Sequence, residues 1–335
     1  MELVLWTFLL ILGLALLVKG ADWFVDGAAG IAGKCGIPSL VIGLTVVAFG
    51  TSAPELAVSV TSAVQGFTDL AVGNVVGSNI TNILLILGLS ALIRPLVVQK
   101  TSLTLDLPVL LFASVALIGL GMVGCALNWE DGLIFLALLT IYMSILLIHA
   151  LRAQRAQKEK TARLPVSEPK EEPKGAVGRW FFRMEQKTWF LVILTIVGLG
   201  MVVGGGTLFV NNAQKIAEHF SVPERIIGLT VVAIGTSLPE LVTSVVAAKK
   251  GETDIAVGNV IGSNIFNILL VAGTASLFHP LAFLPEANLI DSLVSLCAAL
   301  LLVFLAIVGK NKLGRMGGAV MVGAFIVYYV YLFMI

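Results

Sequence analysis

The hexapeptides GTSAPE at residues 50–55 and GTSLPE at residues 235–240 each place a glutamate directly after a proline. Both motifs lie inside apolar runs that are long enough to cross a lipid bilayer. A charged side chain at this depth is costly, so it is expected to have a function and a partner. The repeated motif therefore predicts a polar site inside a membrane domain.

The composition of the whole chain also indicates a membrane protein. Of its 335 residues, 58% are hydrophobic and 12% are charged, and the mean hydropathy is +1.01. Soluble proteins carry about 25% charged residues, so an all-α integral membrane protein is expected. The net charge of +1 comes without a basic stripe, so nucleic-acid binding is not expected.

Ten apolar runs, each of about 20 residues or more, predict ten transmembrane helices. These runs fall near residues 2–19, 38–64, 70–93, 104–125, 132–151, 188–211, 226–248, 254–278, 288–308 and 315–334.

A polar stretch divides the predicted helices into two groups of five. It covers residues 152–187, and its prolines and mixed charges predict a flexible linker. The first five-helix half is then 1–151 and the second is 188–335. Of the 21 lysines and arginines, ten lie in this linker and nine follow odd-numbered helices, whereas only Lys215 and Arg225 lie elsewhere. The positive-inside rule places the linker in the cytoplasm and both termini outside.

The two glutamate motifs belong to an internal repeat. Residues 43–84 align without gaps to residues 228–269, and 30 of the 42 aligned residues are identical, including polar ones. An odd number of predicted helices separates the two copies, so they enter the membrane from opposite sides. Inverted repeats of this kind place a binding site near the bilayer midplane and supply two conformations open to opposite sides. The repeat therefore predicts an alternating-access transporter.

The residues around each glutamate predict an oxygen-rich site. Pro54 and Pro239 each remove a backbone N–H and disturb the preceding helical turn, which predicts free carbonyls near residues 48–50 and 233–235. Helical spacing places further hydroxyls and amides beside the two glutamates. These candidates are Thr51, Ser52, Ser78 and Asn82 in the first repeat, and Thr236, Ser237, Ser263 and Asn267 in the second.

This set of ligands favours hard cations. Carboxylates, hydroxyls, amides and carbonyls suit Ca²⁺, which takes six to eight oxygens, and they suit Na⁺ as well. Transition metals would be expected to recruit histidine or cysteine. A protonated glutamate bonded to a neighbouring helix is the alternative for Glu55 and Glu240. No nucleophile–base pair or cofactor motif is present in the sequence, so neither an enzyme nor a bound cofactor is expected.

Two neighbouring motifs have a different interpretation. GNVVG at 73–77 and GNVIG at 258–262 have the spacing of small residues that lets helices approach closely. They are expected to form a packing seam and not to bind an ion. Asn79 and Asn264 point away from the neighbouring serines, and their role is open.

The paired motifs GTSAPE…GNVVGSNITN and GTSLPE…GNVIGSNIFN resemble the two alpha-repeats of sodium/calcium exchangers, in the cation/calcium antiporter superfamily. The length and short linker are most similar to bacterial members, which implies a bacterial inner (plasma) membrane. The resemblance implies that Glu55, Glu240 and the eight polar residues named above surround the ions, and that the carbonyls of Ala48 and Ala233 coordinate Na⁺. It also implies that the first and sixth helices slide to switch access.

Sodium-driven Ca²⁺ antiport is the function expected from the sequence and the resemblance, with Ca²⁺, Na⁺ and the lipid bilayer as partners. Proton-driven Ca²⁺ antiport on the same fold is the alternative. A cation channel is disfavoured because pores more often surround one filter with identical subunits. Several family members have an aspartate where this chain has Asn82 or Asn267. The resulting site charge of about −2 balances one Ca²⁺ and leaves the number of Na⁺ open.

Overall fold

The computed structural model describes residues 2–161, 184, 187–220 and 233–334. Within these residues, eight helices are long and apolar enough to cross a membrane, and one bent pair of helices is a ninth candidate. An all-α membrane fold is therefore confirmed. The seventh predicted span, near 226–248, and the second repeat, 228–269, begin outside the described residues, so the count of ten stays a prediction.

The helices are numbered here in chain order. Those before the linker are α1 (Glu2–Cys35), α2 (Ser39–Thr51), α3 (Ala53–Val64), α4 (Thr68–Ile93), α5 (Ser102–Met122) and α6 (Trp129–Thr161). Those after it are α7 (Thr188–His219), α8 (Ala233–Thr236), α9 (Leu238–Lys250), α10 (Thr253–Phe278), α11 (Pro285–Val308) and α12 (Arg315–Met334).

The helix break predicted beside each proline is present. Helices α2 and α3 meet at an angle of 44°, and the residue between them, Ser52, has φ −81° and ψ 5°. Ser237 occupies the same place between α8 and α9, with φ −88° and ψ 7°. Each break lies two residues before a proline, which cannot continue the helical hydrogen-bond ladder.

Helices α4 and α10 form the centre of the molecule. In the most apolar 18-residue stretch of each helix, 94% of the residues are buried in α10 and 72% in α4, against 17% in α1. Each central helix widens into a π-helical turn, at Thr81–Leu87 in α4 and at Asn267–Ala272 in α10. Such turns interrupt the regular ladder and are frequent at functional sites. The polar residues of the repeats are therefore held in the most enclosed part of the fold.

Helices α1 and α7 pack against each other through glycines spaced seven residues apart. A Cβ on Gly20 would lie 2.8 Å from the carbonyl oxygen of Gly198, and one on Gly205 would lie 2.8 Å from that of Gly13. Backbone thus contacts backbone along this pair. Side chains larger than hydrogen would force the two helices apart.

Three predicted spans, 2–19, 132–151 and 188–211, ended too early. Helix α1 continues to Cys35 because the charges after residue 19 are paired: the Lys250 ammonium lies 2.5 Å from Asp22 and 2.6 Å from Asp26. Helix α7 continues to His219. Helix α6 continues to Thr161, over the start of the predicted linker, because that stretch is rich in alanine, glutamine, lysine and arginine, which are good helix formers. Linker residues 162–183, 185 and 186 lie outside the described residues.

Two short antiparallel ladders connect the parts of the chain on either side of the linker. Strand β1 (Leu96–Val97) pairs with β4 (Lys312–Leu313), and β2 (Ala126–Leu127) pairs with β3 (Leu281–Ala282). Each ladder therefore joins a loop before the linker to a loop after it. These strands were not predicted from the sequence, because a strand of two residues is too short to show an alternating pattern of polar and apolar residues.

Candidate functional site

Glu55 and Glu240 are both completely buried. Each lies in the first turn of a helix that follows a break, Glu55 in α3 and Glu240 in α9. The first turn of a helix has unpaired backbone N–H groups and the positive end of the helix dipole. The backbone therefore offers some compensation for the negative charge of each carboxylate.

The serines at the two breaks cross between the repeats. Ser237 donates a hydrogen bond to Oε1 of Glu55 over 3.3 Å, and Ser52 donates one to Oε1 of Glu240 over 3.2 Å. Helical spacing predicted Ser52 beside Glu55 of its own repeat, and its hydroxyl donates to the glutamate of the other repeat. As a result, the carboxylates of both repeats belong to one polar cluster.

Helices α4 and α10 complete this cluster with one serine each. Ser237 also lies within hydrogen-bonding distance of Ser78, with 3.3 Å between their hydroxyl oxygens. Ser263 donates to Oε1 of Glu240 over 3.5 Å. Ser78 and Ser263 are both buried. Through these two contacts, each of the four predicted serines belongs to the glutamate cluster.

The asparagines of the central helices hold α4 and α10 together. Asn79 donates to the backbone carbonyl of Asn264 over 3.3 Å, and Asn264 donates to that of Asn79 over 3.2 Å. This reciprocal contact answers the open question about their role. Asn267 donates to Oδ1 of Asn79 over 3.1 Å, whereas neither side-chain polar atom of Asn82 has a hydrogen-bond partner among the described residues.

Several buried oxygens of the cluster have no hydrogen-bond donor. Among the described residues, these are Oε2 of Glu55, Oε2 of Glu240 and the side-chain oxygens of Asn82, Asn264 and Asn267. Buried polar atoms in proteins are nearly always partnered. Unpartnered carboxylate and amide oxygens gathered around two carboxylates fit the ligand preference of a hard cation.

Thr51 and the Ala48 carbonyl lie beside this cluster. The Thr51 hydroxyl is 3.1 Å from the Val47 carbonyl and 3.3 Å from that of Ala48. Ala48 also accepts a backbone hydrogen bond from Ser52 over 3.0 Å. The helix break predicted a free carbonyl here, but the carbonyl of Ala48 is partnered. Ala233 is the first residue of α8.

A cavity of about 200 Å³ lies between α7 and the two helix breaks. Its lining includes both prolines of the helix breaks and the polar side chains Thr207, Asn211 and Thr236. Of the predicted site residues, Thr236 lines this cavity.

Asn74 and Asn259 also contact the site, although they were not predicted from the sequence as site residues. The glycines around Asn259 do form the predicted packing seam: a Cβ on Gly258 or Gly262 would lie 2.8 Å or 2.7 Å from a carbonyl oxygen of α2. The asparagines themselves contact the glutamate turns, since Asn74 donates to the Glu55 carbonyl over 3.3 Å and Asn259 to that of Glu240 over 3.4 Å. The sequence signal for these residues was that both repeats have an asparagine at this matched position.

Within the described residues, no group of three or more histidine, cysteine, aspartate or glutamate side chains could hold a metal ion.

Comparison with known proteins places these features in a family. The chain matches the sequence model described as "Sodium/calcium exchanger protein" over residues 5–148 and 190–334. It is 38% identical over 333 residues to "Putative antiporter CaxA" of Alkalimonas amylolytica, covering 98% of both chains. It is also 38% identical over 328 residues to "Inner membrane protein YrbG" of Escherichia coli (strain K12), covering 98% of this chain and 96% of that protein.

A solved structure has the same fold. It is that of the sodium-calcium exchanger NCX_Mj soaked with 10 mM Na⁺ and 10 mM Sr²⁺. The TM-score is 0.80, the sequence identity is 33%, and the match covers 97% of each chain.

Proposed function

Because the chain belongs to the sodium/calcium exchanger family, we propose that it is an alternating-access antiporter that exchanges Na⁺ for Ca²⁺ at a site around Glu55 and Glu240. Family membership makes it a membrane transporter of the cation/calcium antiporter type. The observation that carries the finer proposal is the crossing of the two serine–glutamate hydrogen bonds between the repeats.

The proposed ion ligands fall into two chemical groups. Glu55 and Glu240 supply a charge that balances one Ca²⁺, and adaptable oxygens complete its shell of six to eight. Na⁺ carries half that charge and can use neutral oxygens. The neutral ligands are proposed to be Thr51, Ser52, Ser78, Asn82, Thr236, Ser237, Ser263 and Asn267, with the carbonyls of Ala48 and Ala233.

The proposed architecture has ten spans in two inverted halves, 1–151 and 188–335, joined by a cytoplasmic linker at 152–187. Contacts that recur at an offset of 185 residues support this division, as in the two crossed serine–glutamate bonds. The excess of lysine and arginine in the linker and in alternate loops supports the orientation. The name of the Escherichia coli relative supports a place in the bacterial inner membrane.

Proton-driven Ca²⁺ antiport is the second candidate. It is favoured by one observation, the Oε2 atom on each buried glutamate that has no partner among the described residues. A proton bound to this oxygen could take the place of a cation. In that case the two glutamates would carry protons in place of Na⁺.

Uptake of calcium-45 into proteoliposomes distinguishes these functions. Vesicles loaded with Na⁺ are expected to take up Ca²⁺, whereas vesicles loaded with K⁺ at the same pH are expected to take up little. Uptake driven only by an acidic interior would establish the proton-coupled function. Uptake without dependence on any counter-ion would contradict antiport altogether.

A further inference from the structure

We propose that Asn74 and Asn259 are positioning residues that set the Na⁺ affinity of the exchanger. Each one connects the glutamate-bearing turn of its own repeat with a threonine hydroxyl of the other repeat. This inference rests on the proposed function.

The side-chain amide of each asparagine holds both ends of one helical turn. The Asn259 amide donates to the Glu240 carbonyl over 3.4 Å and to the Ser244 hydroxyl over 2.9 Å. Asn74 makes the equivalent contacts with Glu55 and Ser59 over 3.3 Å and 2.9 Å. An asparagine amide has two N–H donors, so both are used, and the turn that carries the glutamate is fixed.

The side-chain oxygen of each asparagine accepts a hydrogen bond from the opposite repeat. Thr51 donates to Oδ1 of Asn259 over 3.1 Å, and Thr236 donates to Oδ1 of Asn74 over 3.5 Å. A hydroxyl has one proton and two lone pairs. When the Thr51 proton points at Asn259 and not at the Val47 carbonyl, which is also 3.1 Å away, the lone pairs of this hydroxyl can face a cation.

This arrangement affects Na⁺ more than Ca²⁺. The Thr51 hydroxyl lies 3.3 Å from the Ala48 carbonyl oxygen, and both are neutral oxygens that can bind a monovalent ion. Ca²⁺ depends mainly on the two carboxylates, whose Oε1 atoms are held by the serines. Loss of an asparagine removes the acceptor that orients the threonine, whereas each carboxylate keeps the serine that holds its Oε1 atom. The affinity for Na⁺ is therefore expected to fall further than that for Ca²⁺.

The first test uses Asn259→Leu in proteoliposomes, with apparent affinities for Na⁺ and Ca²⁺ measured separately. Loss of a hydrogen bond of about 1 kcal/mol corresponds to about fivefold. We expect the apparent Na⁺ affinity to fall about five- to tenfold, while the KM for Ca²⁺ changes less than about twofold. Asn288→Leu is the matched control: it removes a buried asparagine that accepts a bond from the Leu284 backbone outside the cluster, and both affinities should be retained.

A double-mutant cycle tests whether Asn259 acts through Thr51. If it does, Asn259→Leu combined with Thr51→Val should lower the Na⁺ affinity no more than Thr51→Val alone. If the two substitutions lower the Na⁺ affinity by independent factors that multiply, the proposal is overturned. It is also overturned if Asn259→Leu lowers the affinities for Na⁺ and Ca²⁺ equally. If Asn259→Leu does not fold, Asn74→Leu with Thr236→Val provides the same test at half-buried positions.

The wild-type protein measured in parallel separates this inference from the proposed function. Ca²⁺ uptake by the wild type that does not depend on Na⁺ would contradict the proposed function. Sodium-dependent uptake by the wild type together with unchanged Na⁺ affinity in the asparagine variants would contradict the inference alone.

Discussion

Glu55 and Glu240 provide the negative charge of the proposed site, and either one alone leaves a divalent ion only partly balanced. We expect Glu55→Gln and Glu240→Gln each to reduce Ca²⁺ exchange more than about 100-fold, because loss of one partner from a buried charge cluster costs about 3–5 kcal/mol. Uptake of calcium-45 measures this loss. The exposed Glu130 provides the matched control, and Glu130→Gln should transport normally.

The two glutamine variants are expected to remain folded. A neutral amide can accept the same serine hydrogen bond, and each variant has one buried charge fewer, so their thermal unfolding temperatures should equal or exceed that of the wild type. Exchange retained in either folded variant would contradict the role assigned to that glutamate.

Prediction from sequence succeeded at the residue scale where chemistry was decisive. Buried carboxylates, hydroxyls and amides matched in register indicated a polar cluster. Ser52, Ser237 and Ser263 do contact its glutamates, and Ser78 contacts Ser237. The crossing of Ser52 to Glu240 could not be predicted, because helical spacing describes a continuous helix and the backbone turns at that residue.

At the scale of the helix pair, the close approach of α1 and α7 depends on the absence of side chains. Gly20→Ala is expected to lower the thermal unfolding temperature, because its Cβ would meet the Gly198 carbonyl oxygen and the Val202 nitrogen, each at 2.8 Å. The Cβ of Gly33→Ala, on the same helix, would have no atom of another described helix within 4 Å. It should leave stability unchanged or raise it by about 0.5–1 kcal/mol. Equal effects of the two variants would contradict backbone contact between α1 and α7.

Lys250 connects the end of α9 to α1 through Asp22 and Asp26. We expect Lys250→Gln to increase hydrogen–deuterium exchange in α1 around residues 22–26 by up to about fivefold, since partly exposed ion pairs contribute about 0.2–1 kcal/mol.

Lys249 is the control for this prediction. It is the neighbouring exposed lysine, and Lys249→Gln should leave exchange in α1 unchanged. Equal exchange in the Lys250 variant and the wild type would show that the ion pair does not hold α1.

Helix ends were harder to predict than helix positions. The charged residues Lys19, Asp22 and Asp26 indicated the end of the first span. In the structure, however, Lys250 pairs with both aspartates from a helix more than 200 residues away in the sequence. Such a partner cannot be identified by hydropathy. The break in α2–α3 was predictable, because proline acts on its own local backbone.

At the scale of the whole molecule, the repeat gave the fold class and the family, and the pairing of residues across the linker followed only from the structure. The offset of 185 residues predicts which positions are equivalent. It does not predict that Ser52 contacts Glu240, or that β1 pairs with β4, because symmetry alone allows contacts within a half or between halves.

The energetics of transport predict the number of Na⁺ ions. Export of one Ca²⁺ against a ~10⁴-fold gradient and ~100 mV costs about 10 kcal/mol, and each Na⁺ entering down a tenfold gradient and the same potential returns about 3.7 kcal/mol. Two Na⁺ are then insufficient and three suffice. If export proceeds under such gradients, exchange should carry net charge, and proteoliposome current measurements should detect it. An electroneutral exchange of two Na⁺ for one Ca²⁺ would contradict this prediction.

The central claim is that carboxylates from both repeats bind one shared ion. Equilibrium binding of calcium-45 to the purified protein tests it most directly, with Glu55→Gln and Glu240→Gln measured beside the wild type. The account predicts one Ca²⁺ per wild-type chain, displaced by Na⁺, and loss of that binding in either variant. Two independent Ca²⁺ ions per chain, each lost with only one glutamate, or binding that survives in both variants, would contradict it.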